Sequence, residues 1–464
     1  MCIRDRVITL GDVDAIFVGK LETWEDMKDG VPTELPMISF PHYEGFSKIE
    51  SGYDWQTFID QQESLASAPE LTLADVWTIV FTSGTTGTPK GVTLTWGNLK
   101  AAQDLAYVDN SLKASFDGDN AYFSYLPLNH LAERIVVAMN VLKFGGTMSF
   151  AENLDRFFFN LRDTRPTLFF AVPRIWTKFQ MGILSKMPQS RLNTLLKIPF
   201  LSTFFKKWLL AGLGLDRTRA TLTGAAPMPE AQKDWYRKID LHIMEGYGQT
   251  ETCAIGTTLK GVDRKPGSVG KPPEGTLLKI APETNEILFK APWVMKGYYK
   301  NPEKTAETIK DGWLHTGDKG RLDEEGYLYI TGRIKDTFKT SKGKFIVPAP
   351  IEWEFAHNSD IELISIVGLG CPQPLALVML SELGIAKSKE ALKSSLQTTL
   401  KEVNEKMPNY RKVSTLIVTK NAWTIENGLL TPTMKVKRNV MNRRYKNQFM
   451  NWHEAAEDIV FEKA

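Results

Sequence analysis

Short β-prone apolar runs recur along the first 260 residues, at 15–18, 37–40, 76–81, 121–128, 167–172, 221–222 and 241–244. Between several of them lie stretches whose apolar positions repeat with helical spacing: 54–66 reads as a short amphipathic helix, 95–108 as a helix, and 132–142 as a helix ending near Gly145-Gly146. Strands alternating with helices predict an α/β fold of mostly parallel sheets flanked by helices. In such sheets binding residues collect at the carboxyl ends of the strands. After about residue 262 the rhythm changes: strands at 275–280, 286–290 and 326–332, separated by Gly/Pro/Asp turns, predict a small β-rich subdomain. Residues 333–348 form a charged, glycine-containing connector, followed by strands at 363–367 and 377–380, a helix at 389–406 and a basic tail. The expected division is 1–262 for the large α/β region, 263–332 for its β-rich subdomain, 333–348 for a hinge and connector, and 349–464 for a small α+β domain.

Bulk properties narrow the class only slightly. At 464 residues the chain exceeds one core, and 42% hydrophobic with 24% charged residues is ordinary for a globular protein. The 57 basic and 54 acidic residues are interspersed, so the net charge of +3 gives no argument for nucleic acid, and none is expected as a partner. Cys2, Cys253 and Cys371 are scattered without CxxC spacing, which argues against disulfides and zinc and fits a reducing compartment. No apolar run approaches the roughly 18 residues of a membrane span.

The run at 76–81 leads into Thr82-Ser83-Gly84-Thr85-Thr86-Gly87-Thr88-Pro89-Lys90-Gly91. Glycines let backbone N–H groups converge, hydroxyls add donors and Lys90 adds a mobile charge, the chemistry of a polyphosphate cradle. It is not a Walker A loop, since Gly91 stands where that loop has Ser or Thr after its lysine. On this pattern the loop also opens the helix expected at 95–108.

Three later segments carry possible chemistry. In Tyr247-Gly248-Gln249-Thr250-Glu251-Thr252 a hydroxyl and a carboxylate can meet a phosphate and its Mg²⁺ together, although a helix N-cap at Thr250 reads equally well. Trp313-Leu314-His315-Thr316-Gly317-Asp318 offers a carboxylate for sugar hydroxyls, with a turn-capping aspartate as the default. Gly332-Arg333-Ile334-Lys335-Asp336 alone is a charged linker.

Taken together, and with YLPLNH (125–130), TGAAP (223–227), the run at 332–344 and LTPTMKVKR (430–438), these segments resemble, in order, the motifs of the adenylate-forming superfamily. Its members include acyl-CoA synthetases, luciferases and peptide-synthetase adenylation domains. The resemblance implies roles. Thr82, Ser83, Gly84, Thr85, Thr86, Gly87 and Lys90 match the loop holding the ATP β- and γ-phosphates; Gly224, Ala225 and Ala226, with Glu245, Gly246 and Tyr247, match the adenine slot. Thr250 matches the α-phosphate ligand, Glu251 the magnesium carboxylate, and Asp318 and Arg333 the ribose contacts. Lys335 occupies the hinge, and Lys435 matches the lysine bridging the substrate carboxylate and the α-phosphate. The implied small domain is mobile, rotating between an adenylate-forming and a thiol-transfer arrangement. Lys339, Lys342, Gly343 and Lys344 then face coenzyme A, with Arg443 and Arg444 nearby, although a solvated connector explains those lysines as well.

Within that superfamily, LPLNHLAER (126–134), with His130 near the acyl and thiol entrances, and VPRIW (172–176) resemble bacterial long-chain fatty acyl-CoA synthetases. The expected function is ATP-dependent activation of a fatty acid to acyl-AMP and transfer to coenzyme A. The alternatives are delivery to a carrier protein, or a chain that binds fatty acid or nucleotide without turnover. Relative to the family, the start of the large domain is expected to be missing. Phe157 to Phe159, Phe169 and Phe170 are candidate acyl-tunnel residues or simply core. Residues 192–215 are apolar with Lys197, Lys206 and Lys207 interleaved, which suits either a buried helical hairpin or rest on a membrane surface. The expected location is the cytoplasm, with peripheral contact at the inner membrane surface.

Overall fold

The computed structural model describes residues 3–462, except 20, 22, 23, 26, 45, 51, 84–88, 111, 154, 259–264, 426 and 432–434. Gly84, Thr85, Thr86 and Gly87 of the phosphate-type loop therefore lie outside the described residues, as do Cys2 and the expected boundary at 262. The chain forms two compact units, one of Met1–Leu99 with Met295–Glu307, the other of Lys100–Val294 with Thr308–Ala464.

In the first unit, Ile16–Val18, Met37–Ser39 and Tyr53–Asp54 form a parallel three-stranded sheet. Asp54 then caps the helix Trp55–Asp60 by accepting from the Thr57 N–H at 3.0 Å. That helix is shorter than the expected 54–66, because the serines and Pro69 that follow favour turns. Strand β1 (Val76–Ser83) pairs antiparallel with β2 (Pro89–Thr95), and β2 also pairs with Gly297–Tyr298. The phosphate-type loop therefore joins a hairpin and does not open a helix. The helix Trp96–Asp109 starts behind β2, where Thr95 and Asn98 cap one another: the Thr95 N–H donates to Asn98 Oδ1 at 2.9 Å, and the Asn98 N–H donates to Thr95 Oγ1 at 3.2 Å.

The second unit is built on five parallel strands: β3 (Ala121–Ser124), β4 (Thr147–Phe150), β5 (Leu168–Ala171), β6 (Ala220–Thr223) and β7 (Ile243–Glu245), in the order β7-β6-β5-β3-β4. Alternation along the strands supplies two cores. Phe123, Phe169 and Ala171 face Trp176, Phe179 and Tyr236, whereas Tyr122, Leu168, Phe170 and Leu222 meet Val137 on the other side. Covering both faces explains why these strands read as nearly unbroken apolar runs. Strand β3 stops at Ser124, short of the expected 128, because Pro127 has no N–H to give to a ladder. The expected helix at 132–142 begins as a π-helix, Glu133–Ala138, and continues as Met139–Phe144 until Gly145 takes φ of 73°.

Helix α1 (Pro173–Lys186) follows β5, and residues 192–215 resolve into a hairpin of α2 (Gln189–Lys197) and α3 (Leu201–Leu213). Leu192, Phe205 and Leu209 face inward, but Phe200, Leu201, Phe204 and Trp208 are exposed, so one side is buried and the other is not.

The β-rich part is antiparallel: Leu277–Ile280, β8 (Glu286–Lys290), β9 (Trp313–Leu322) and β10 (Leu328–Arg333), with Ile309–Lys310 at an edge. Beyond it, β11 (Ile361–Val367), β12 (Leu375–Leu380), β13 (Leu416–Val418) and β14 (Ile459–Phe461) make a mixed sheet. Helix α4 (Lys389–Glu405), capped by Ser388, lays Leu392, Leu396, Leu400 and Val403 on one face of it. Trp423, Met441, Tyr445 and Phe449 cover the other.

Candidate functional site

The carboxyl ends of β6 and β7 lie side by side, and each runs into a glycine. The Gly246 N–H donates to Thr223 O at 2.9 Å, and a Cβ on Gly224 would meet Gly246 O at 3.2 Å, so a larger residue there would press the two turns apart by a few tenths of an ångström. Ala225 holds φ of 67°, a left-handed conformation uncommon for alanine and held here by its surroundings. The Glu245 carboxylate is turned inward, accepting from Met228 N–H at 3.0 Å and from Lys233 Nζ at 2.8 Å. Burial pushes its pKa up, with Lys233 pulling the other way. Of Glu245, the backbone is what borders the turn.

Farther along that turn, Gln249 and Thr252 form a reciprocal cap for the one-turn helix Thr250–Thr252. Gln249, not Thr250, is the N-cap. This leaves the Thr250 hydroxyl and the Glu251 carboxylate on the first turn of a helix. Among the described residues no three His, Cys, Asp or Glu side chains cluster as a metal cage. A single carboxylate suits Mg²⁺, which keeps its waters and takes its remaining ligands from substrate phosphates.

Asp318 is the hub. It lies within β9, not in a turn, opposite Arg333 of β10. Oδ1 accepts from Arg333 Nε at 2.8 Å; Oδ2 accepts from Tyr247 Oη at 2.8 Å and from Gln249 Nε2 at 2.5 Å. Gln249 Nε2 also donates to Thr316 O at 3.0 Å. Asp318 raises the pKa of the Arg333 guanidinium, and burial followed by the Asp318 charge raises that of the Tyr247 hydroxyl. Gln249 was not singled out from the sequence, where an amide between a glycine and a threonine carries no charge signal.

Lys435 enters the same electrostatic field. Burial, then Arg333, lowers its pKa to about 8, with Asp318 pulling it back up. Burial, and then Lys435 itself, lowers His130 to about 4. His130 follows β3, where its backbone N–H donates to Pro127 O at 2.8 Å. Glu133, one turn on in the π-helix, is fully buried, and burial raises its carboxyl to about 7. It too escaped the sequence reading, since its neighbours there suggest only an amphipathic helix.

Other expected residues fall elsewhere. Lys335 sits in the turn after β10, and its neighbour Asp336 pairs with Arg438 at 3.4 Å. Lys339, Lys342, Gly343 and Lys344 are exposed on a small hairpin formed by Phe338–Lys339 and Phe345–Ile346. Arg443 and Arg444 lie in the last turn of the helix Arg438–Tyr445. Phe157 and Phe169 are core, Phe158 and Phe159 are exposed, and Phe170 lies 3.5 Å from a Cβ placed on Gly224. In the first unit, Thr82 stands opposite Lys90 across the hairpin, and Lys90 Nζ lies 5.3 Å from the centre of the Tyr298 ring.

In an α/β fold the turns after neighbouring parallel strands are where ligands bind, and here the turns after β6 and β7 border the Asp318 cluster of the antiparallel sheet. A family model described as AMP-binding enzyme matches residues 10–299, and one described as AMP-binding enzyme C-terminal domain matches 335–457. The chain belongs to the AMP-binding enzyme family. It is 30% identical over 448 residues to the long-chain-fatty-acid–CoA ligase ACSBG2 of Xenopus laevis, covering 82% of this chain and 60% of that protein. Mus musculus long-chain-fatty-acid–CoA ligase 5 is 31% identical, with 83% of this chain and 63% of that one covered. The chain thus spans about three-fifths of the length of these relatives. Among solved structures, the A domain of the carboxylic acid reductase from Segniliparus rugosus, in complex with AMP and a co-purified carboxylic acid, superposes with a TM-score of 0.77 at 23% identity. It covers 98% of this chain and 78% of that one.

Proposed function

We propose that this protein activates a long-chain fatty acid with ATP, releasing pyrophosphate, and transfers the acyl group from acyl-AMP to coenzyme A. The observation that carries this reading is the grouping of Tyr247, Gln249, Arg333 and Lys435 about the single carboxylate of Asp318, next to the turns after β6 and β7. In this reading Asp318 and Arg333 hold the ribose, and Gly224, Ala225, Ala226 and the backbone of Glu245, Gly246 and Tyr247 hold the adenine. Thr250 binds the α-phosphate. Thr82, Ser83, Gly84, Thr85, Thr86, Gly87 and Lys90 steady the β- and γ-phosphates. Glu251 holds Mg²⁺, which supplies positive charge against the phosphate oxygens.

A fatty carboxylate and an α-phosphate repel one another. The Lys435 ammonium, placed between them, offsets that repulsion and stabilises the charge of the in-line displacement, in which a carboxylate oxygen bonds to phosphorus as pyrophosphate leaves. The thiol of coenzyme A then attacks the acyl carbonyl and AMP departs. With its pKa near 4, His130 meets these groups as a neutral imidazole at pH 7. Lys335 is the hinge for rotation of the small domain between the two steps, and Lys339, Lys342 and Gly343 contact coenzyme A. The domain division at 333–348 belongs to the same proposal.

In this reading the protein works in the cytoplasm and rests on the inner membrane surface through the outer side of the α2–α3 hairpin. Supporting this, residues 186–215, which hold the hairpin, contain no Asp or Glu but carry Lys186, Arg191, Lys197, Lys206 and Lys207. Among the described residues no helix is long and apolar enough to cross a membrane.

Pyrophosphate release with palmitate and ATP, with and without coenzyme A, tests the activity. Release with acyl-CoA formation is expected. Acyl-AMP that accumulates regardless of coenzyme A favours a carrier-protein acceptor, and no release with any acid from C2 to C18 sinks the reading.

A further inference from the structure

Arg174, in the first turn of α1, donates from Nη2 to Oε1 of Glu362 on β11 at 2.7 Å, across 188 residues of chain. The two side chains are only 16% and 21% exposed. Nε and Nη1 of the same guanidinium are buried without a hydrogen-bond partner among the described residues. Both ends are aimed by backbone. Pro173 starts α1, and fully buried Trp176 anchors its first turn by donating from Nε1 to Ala171 O at 3.1 Å. On the other side, the β11–β12 ladder pairs Ile361 with Leu380 and then Leu363 with Met379, which makes Glu362 the extra residue of a β-bulge. A bulge redirects a side chain that regular pairing would point elsewhere. α1 lies in the region matched by the main family model and β11 in the region matched by the C-terminal one. The arrangement that joins them also puts Lys435 in the field of Asp318 and Arg333.

We propose that Arg174 and Glu362 form a releasable clasp that selects the adenylate-forming arrangement and must open before the thiol step. The inference rests on the two-step reading above. Desolvation of a pair this far buried offsets much of its attraction, and the two unmet guanidinium nitrogens subtract further from its net gain. Such a contact biases a domain without locking it. Arg174 and Glu362 are positioning residues, acting through the placement of Lys435.

The test compares Glu362→Arg, Arg174→Glu and the double charge swap in the full chain. Each single variant is expected to slow pyrophosphate release from fatty acid and ATP about tenfold, the scale of a coupling between contacting charges. Transfer to coenzyme A from supplied acyl-AMP stays within about twofold, and the double swap recovers most of the adenylation. Limited proteolysis within 333–348 reads the clasp without activity: the singles should be cut faster than the parent and the double swap should be protected again. If the parent releases no pyrophosphate with any acid, the functional reading fails while proteolysis still reports on the clasp. Equal losses in both half-reactions without rescue, or proteolysis identical in all four proteins, would overturn the clasp.

Discussion

Asp318 and Arg333 stand opposite one another on paired strands, with Arg333 Nε 2.8 Å from Asp318 Oδ1. The pairing makes one buried carboxylate the acceptor for a guanidinium from β10 and for a phenol and an amide from the turn after β7. Replacing Asp318 with Asn keeps the shape and removes the charge. The KM for ATP is expected to rise about 10- to 100-fold, with a stability loss of about 1–3 kcal/mol from donors left poorly matched. Initial rates against ATP concentration, together with urea unfolding, check this; an unchanged KM would remove Asp318 from the nucleotide site.

Lys435→Met should cut pyrophosphate release about 10²- to 10³-fold, the usual cost of removing a preorganised charge from a transition state. Transfer from supplied acyl-AMP to coenzyme A should survive. Because the Lys435 pKa lies near 8, the ammonium is present below that value and lost above it. The kcat/KM for the fatty acid, which reports the free enzyme, is therefore expected to fall as pH rises through about 8. A profile flat from pH 7 to 9.5 counts against the assignment.

Glu133 gives a stability prediction with a definite sign. Its folded pKa, about 7, lies above the ordinary carboxylate value, so the native state binds the proton more tightly than the unfolded chain. Its contribution to stability is full below the unfolded value and is lost as pH rises to about 7. Glu133→Gln removes that loss. It should be more stable than the parent at pH 8, by up to about 3 kcal/mol, and no more stable at pH 4. Denaturant midpoints at the two pH values decide it.

The outer side of α3 carries Phe200 at 94% exposure, with Phe204 and Trp208 also projecting. Changing these three to Ser should leave the melting temperature nearly unchanged, because little buried area is lost. Co-sedimentation with vesicles containing about 30% anionic lipid, a composition that draws on the basic flank, should drop severalfold. Equal sedimentation of parent and variant would dismiss the membrane-facing role.

Much of this was legible locally. The apolar runs at 167–172 and 286–290 became β5 and β8 with small boundary shifts, since unbroken or alternating apolar runs depend on a strand's own periodicity. The loop after β1 was misread as opening a helix because a second strand of seven residues, Pro89–Thr95, has a glycine and a lysine that look like loop. Its partners, β1 and Gly297–Tyr298, supply the strand character that its composition lacks.

By itself the sequence determined the order of motifs, the strand–helix alternation and the residue types available to bind a nucleotide, because these depend on neighbours a few positions apart. Tertiary structure alone decided that Asp318 gathers Tyr247, Gln249 and Arg333, that Glu245 turns inward to Lys233, and that a bulge aims Glu362 at Arg174. Those pairings join residues up to 188 positions apart. They follow from strand register and packing, which no local pattern in the chain records.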